Sequence, residues 1–205
     1  DASLRRGCLV WPVGGSARMS LAGLPPVFFT PLGSMHGTVM VFRGLVPVGF
    51  AAFCNFFVPL QIGAPDMFVP KINMASYWAY FVGGAIMFAS FFVPGGAAKT
   101  GWTSYTPLSV VVDQGPNYDV IFNGQTMWLI AFIFLITSSL LGSVNFIATI
   151  IQLRAKGMTW MRMPFFVWAQ FVTAFLLLLA FPPLESAIIM QLMDRVGATS
   201  FFLPG

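Results

Sequence analysis

The sequence predicts an all-α fold, a polytopic bundle of membrane-spanning helices, on three observations. Of the 205 residues, 58% are hydrophobic and 16% aromatic, while only 8% are charged. A soluble globular chain carries about 25% charged residues, so too few are present to cover a water-facing surface. The apolar residues are gathered into four runs, each near the roughly 20 residues that a crossing of the bilayer requires. Short segments rich in Pro, Gly and charge separate the runs. The 23 Phe and 6 Trp are the opposite of a disordered composition. With 10 basic residues, a net charge of +4 and no basic cluster larger than Arg5-Arg6, nucleic acid is excluded as a partner. The two cysteines, Cys8 and Cys54, make no disulfide framework, and Cys54 sits in an apolar run as a small hydrophobe.

The chain divides into residues 1–32, which contain no spanning run and receive no structure or function, and a bundle over residues 33–205. The expected spans are about 36–60, 75–94, 124–151 and 164–190. The first holds one charge, Arg43, and the next two hold none. The last is uncharged to Leu184 and continues through Glu185 to Met190 before Asp194-Arg195. Of the connections, Gln61–Met74 carries Pro65, Asp66, Pro70 and Lys71, and Gln152–Met163 carries Arg154, Lys156 and Arg162. Four crossings put these two loops on one face, and the positive-inside rule makes that face cytoplasmic. The loop Gly95–Asn123 and the start of the first span, with His36, then lie outside. The stretch before residue 33 would lie outside too, although it carries Arg5, Arg6 and Arg18.

Polar side chains inside apolar helices turn toward the bundle interior or a watery path. In the third span Ser138, Gly142, Asn145 and Thr149 recur at i, i+4, i+7 and i+11, one helical stripe, with Ser139 and Ser143 beside it. Such a stripe serves as a helix–helix contact, because small and hydroxyl residues let backbones approach. Depth allows a second reading. Asn145 stands about 10 Å nearer the cytoplasm than Ser138 at 1.5 Å per residue. Asn55 ends the first span on that side, Asn73 and Ser76 open the second, and Asp66 lies in the loop between. One carboxylate, three amides and several hydroxyls could hold a file of waters, each needing two to four polar partners. Asp66 would gather protons at the mouth; its other reading is a solvated loop acid or helix cap. His36, the one histidine, is either a hydrogen-bonded interfacial residue or an axial ligand of haem iron. A copper site of several imidazoles cannot be formed by this chain.

The stretches Ser34-Met35-His36-Gly37-Thr38-Val39-Met40-Val41-Phe42, Asn55–Met67, Gly101-Trp102-Thr103, Ser138–Phe146, Arg162–Trp168 and Leu192-Met193-Asp194-Arg195 resemble subunit I of the haem–copper respiratory oxidases. The likeness runs in order over roughly residues 30–205 and matches helices two to five of a bundle of a dozen. It implies part of the catalytic subunit of a proton-pumping cytochrome c oxidase that reduces oxygen to water. By the resemblance His36 is an axial ligand of a low-spin haem, and the haem–copper centre takes its ligands from segments outside this chain. Asp66 matches the entrance acid of the cytoplasmic proton pathway. Asn55 and Asn73 match the amides just inside, and Ser76, Ser138, Ser139 and Asn145 match positions further along. No catalytic residue and no copper ligand falls in the chain, and in isolation it is expected to be inactive. The implied partners are the remaining helices of subunit I, the other oxidase subunits, the lipid bilayer and cytochrome c or quinol as electron donor. The implied location is a bacterial plasma membrane rather than the mitochondrial inner membrane. A quinol oxidase subunit I is the nearest alternative; a non-haem transporter or channel subunit and a bundle without catalytic role are others. The chain departs from the family in residues 1–32, where the first helix is not recognisable, in Tyr105-Thr106-Pro107 for the usual Tyr-Pro-Pro, and in Arg43, which replaces an aromatic or aliphatic residue. An arginine in a membrane helix costs about 2.5–3.5 kcal/mol unless it is paired or snorkels.

Overall fold

Four long helices carry the computed structural model, which describes residues 26–93, 96–111 and 119–202. Arg5, Arg6, Cys8, Arg18 and Asp113 lie outside the described residues. Helix α1 runs without a break through Pro26–Thr38, Val39–Leu45, Pro47–Phe53 and Cys54–Ile62. Helix α2 spans Pro70–Ala89 and ends in a tighter turn, Ser90–Phe92. Helices α3 and α4 span Gly124–Gln152 and Phe165–Val196. All four are long and apolar enough to cross a membrane.

The helix bounds depart from the expected spans at three places: α2 begins at Pro70 rather than 75, and α1 and α4 extend beyond their expected ends. Among the described residues, helix α1 reaches back to Pro26, inside residues 1–32, for which the sequence predicts no structure. Proline is accommodated in a first turn, where its missing N–H would have no partner. Pro31 lies inside the helix, where it gives no N–H to the carbonyl four residues back. Helix α4 continues past Met190 to Val196 because the charges there are absorbed by the fold. Arg195 Nε donates to Thr126 Oγ1, its Nη1 to the carbonyls of Ser109 and Val111, and its Nη2 to Asn123 Oδ1. Asp194 accepts from Thr199 Oγ1 and from the backbone N–H groups of Phe201 and Phe202, closing the chain's turn after the helix.

The middle of α1 is wound as π-helix over Val39–Leu45 and Pro47–Phe53. Pro47 has no N–H to give the carbonyl of Arg43, its i−4 partner in a regular helix. The carbonyl is satisfied from the neighbouring helix instead, by Tyr80 Oη at 2.8 Å. Gly63 closes α1 with φ 73°, a left-handed conformation glycine adopts without strain.

Helix α3 is the central element, with 44% of its most apolar window buried against 11% in α4. It packs between α2 and α4. Lipid tails are as apolar as leucine, so these contacts rest on close van der Waals packing and interhelical hydrogen bonds rather than on escape from water. Two apolar clusters result. One, toward His36, is built on Met35, Met87, Trp128, Phe132 and Ile188, with Trp128 and Phe132 stacked at 4.7 Å. The other, toward Asp66, is built on Cys54, Val58, Ile62, Phe146, Ile150 and Val167.

Candidate functional site

A cavity of about 730 Å³ opens among α1, α2 and α3. Its wall includes Asp66, Asn55, Asn73, Ser76, Ser138 and Ser139, six side chains that sequence reasoning had placed on one path. Arg43, Tyr77, Tyr80 and Gly142 share the wall, with Phe181 of α4.

Each polar residue arrives by its own route. Asp66 stands exposed in the loop after Gly63, with Oδ1 accepting from Met67 N–H at 2.7 Å. That loop is fastened to α3 by two side chains one turn apart. Thr149 Oγ1 accepts from Phe68 N–H at 2.9 Å, and Asn145 Oδ1 accepts from Val69 N–H at 3.0 Å. Thr149 also donates to the Asn145 carbonyl. Asn145 therefore does not stand in the cavity wall, unlike the other residues expected along the path; it is buried and holds the loop that carries Asp66. Deeper in, Ser138 Oγ donates to the Ser76 carbonyl at 2.6 Å and Ser76 Oγ to the Ser138 carbonyl at 3.0 Å. This reciprocal pair ties α2 to α3, the packing role expected of small hydroxyl residues. It leaves hydroxyl lone pairs, rather than protons, for other partners. Ser139 Oγ donates to the carbonyl of Leu135 in its own helix. The Asn55 Oδ1, in the cavity wall, is buried and without a protein partner, as is Asn145 Nδ2 outside the wall. A buried amide oxygen without a partner costs about 1–3 kcal/mol, which a water in the adjoining cavity would relieve.

Sequence reasoning missed what surrounds Arg43. Its Nη1 donates to the Tyr80 carbonyl at 2.9 Å, its guanidinium lies 4.2 Å from the Tyr80 ring centroid, and Tyr80 Oη returns a hydrogen bond to its backbone. The guanidinium occupies the space left by the absent side chain of Gly84; a Cβ there would collide with it. The signal was present in α2, where Ser76, Tyr80 and Gly84 recur at i, i+4 and i+8, one face of a helix. A carboxylate inside helix α4, Glu185, accepts from Thr137 Oγ1 at 2.8 Å.

His36 lies outside the cavity wall, about two turns along α1 from Arg43. It is exposed, and Leu32, Val39 and Met40, one turn to either side, are exposed at 45%, 37% and 58%. The opposite face of the helix at that level, Met35 and Thr38, is buried against α3, and Trp128 Nε1 donates to Thr38 Oγ1. An imidazole nitrogen in an exposed apolar strip suits a flat, mostly apolar iron porphyrin lying against it. Among the described residues no three His, Cys, Asp or Glu side chains gather as a metal site.

Residues 7–205 match the family described as cytochrome c and quinol oxidase polypeptide I. The chain belongs to this family. The match begins at residue 7, so it takes in most of the N-terminal stretch in which no family resemblance was recognised. The chain is 40% identical over 201 residues to cytochrome c oxidase subunit 1 of a Synechocystis species, covering 94% of this chain and 34% of that protein. To the subunit of the same name in a Bacillus species it is 44% identical over 171 residues, covering 83% and 26%. A probable cytochrome c oxidase subunit 1-alpha of Streptomyces avermitilis is 46% identical over 162 residues, covering 79% and 27%. The chain thus spans between about a quarter and a third of the length of these relatives. Four candidate spans and bacterial relatives make this polypeptide I segment a multi-pass bacterial membrane protein.

Proposed function

We propose that this chain forms the proton-uptake half and one haem-ligand position of the catalytic subunit of a cytochrome c oxidase. The observation that carries the reading is the single cavity whose wall joins Asp66, Asn55, Asn73, Ser76, Ser138 and Ser139. A bare proton cannot cross hydrocarbon, and a water file needs walls that offer several polar partners to each water. Asp66, exposed at one end, exchanges protons with the cytoplasm. The Asn55 and Asn73 amides orient the first waters, and the hydroxyl oxygens of Ser76, Ser138 and Ser139 accept from those beyond. Asn145 and Thr149 keep the Asp66 loop at the mouth of the cavity. Asn145 was expected along the water file itself; the hydrogen bond to Val69 favours this positioning role.

At the other end His36 offers an axial nitrogen to a low-spin haem, and Leu32, Val39 and Met40 offer it apolar cover. Haem, when bound, supplies one-electron chemistry at iron; the chain sets its ligand, orientation and burial. Oxygen reduction takes place at a haem–copper centre held by segments beyond this chain. The relatives' names favour cytochrome c as the electron donor.

The test uses the complete oxidase. Asp66→Asn keeps the shape of the loop and removes the proton-exchanging group. Proton uptake should fall about a hundredfold, the scale of a positioned acid–base group, with the low-spin haem spectrum intact. His36→Ala should remove that spectrum. Wild-type uptake in the first variant would refute the pathway, and an unaltered spectrum in the second would refute the ligand.

A further inference from the structure

The cavity ends in a cation. Helix α2 runs from the Asp66 loop past Ser76 to Tyr80, so Tyr80 stands one turn further from Asp66 than the Ser76–Ser138 pair. One turn is about 6 Å at 1.5 Å per residue. The Arg43 guanidinium sits over the Tyr80 ring at that level and lines the same cavity. Its contacts are a carbonyl and an aromatic face, and neither neutralises it. Among the described residues no carboxylate pairs with it. Asp66, the single carboxylate in the cavity wall, lies at the opposite end. The other ionisable groups of the wall are Tyr77 and Tyr80 from α2; α3 brings none, and the α4 carboxylate Glu185 is held by Thr137 outside the wall. Along α1 the neighbouring ionisable side chain is His36, two turns away and outside the wall.

Arginine does not lose its proton in proteins, so this charge is permanent. The arrangement around it is specific: Gly84 leaves the space, Tyr80 supplies the ring and the carbonyl, and Pro47 frees the Arg43 carbonyl that Tyr80 Oη then binds. A fixed cation lining a watery pore admits water and disfavours an excess proton, as positive groups do in water-selective channels.

We propose that Arg43 is the electrostatic terminus of the proton cavity, a permanent cation that weakens proton binding by the waters and groups at its inner end and so sets the pH range over which the path loads. This rests on the reading of the cavity as a proton pathway. A unit charge on the order of 10 Å away, at an effective dielectric near 20, shifts a proton equilibrium by about one pH unit.

The experiment follows proton uptake against pH by the complete oxidase in lipid vesicles. In Arg43→Met, which is neutral and unbranched, the half-maximal point should move up by about one pH unit. Arg43→Gln, which keeps a donor for the Tyr80 carbonyl, should move it equally, and Arg43→Lys should leave it near the wild-type position. Coincident profiles for Met, Gln and wild type would overturn the proposal. So would an equal shift in the Lys variant, which would mark a packing effect. Asp66→Asn in the same assay separates the two claims. If it slows uptake while Arg43→Met does nothing, the pathway stands and the terminus falls; if Asp66→Asn itself has no effect, the pathway falls first.

Discussion

The two ends of this bundle use polar residues in opposite ways. At the end reached by the α4 C-terminus, most polar groups converge on one another, although the buried Ser109 Oγ and Gln125 Nε2 have no protein partner. Arg195 alone engages Thr126, Ser109, Val111 and Asn123, while Ser104 and Gln191 exchange two hydrogen bonds. In the half toward Asp66, polar side chains face a cavity, and the oxygen of Asn55 is left without a protein partner. A polar group buried in a membrane protein either fastens helices or faces water. The difference shows in where its lone pairs and protons go, not in residue type. Even inside the second region the two uses meet: Ser76 and Ser138 line the cavity with hydroxyls whose protons are spent on each other's backbone.

Breaking the fastened end should have the largest effect on stability. Arg195→Leu leaves two carbonyls, a hydroxyl and an amide oxygen without their charged donor, each such bond contributing about 1.5–3 kcal/mol. Allowing for non-additivity, the complete subunit should lose about 3 kcal/mol or more and assemble poorly, measured as the yield and thermal stability of the purified oxidase. Asn145 is a fastening residue inside the watery half, so Asn145→Ala sharpens the contrast. It orphans the Val69 N–H and should cost about 1–2 kcal/mol. Proton uptake should slow only a few-fold, as the Asp66 loop loosens without losing its carboxylate, and uptake kinetics beside a melting curve check both parts.

How much of this was legible follows from the reach of each signal. The four spans are continuous apolar runs, visible within a window of about 20 residues. The face of α3 that carries Ser138 and Asn145 is visible in a 3.6-residue period. Neither signal says what lies opposite. Asn145 shares its stripe with Ser138, yet one meets a loop backbone and the other a neighbouring helix. Arg43 reads as an expense because its compensation sits at Tyr80 and Gly84, on another helix. The start of α1 is hidden because Pro26 and Pro31 look like breakers; a first turn accepts Pro26, and Pro31 costs the helix one backbone hydrogen bond without ending it. Asp194 and Arg195 look like the edge of the membrane, while the fold absorbs both charges. Local composition fixes the elements; the pairings arise between residues distant in sequence.

Asn55→Leu distinguishes a watery cavity from a packing defect most directly. The substitution is nearly isosteric, removes an unpartnered buried oxygen and puts an apolar group into the wall. In the complete oxidase the melting temperature should hold or rise and the haem spectrum stay unchanged, while proton uptake falls by about tenfold or more, the lower range for a group that positions transferred protons. Uptake at the wild-type rate in a folded, haem-loaded variant would show that the cavity carries no protons.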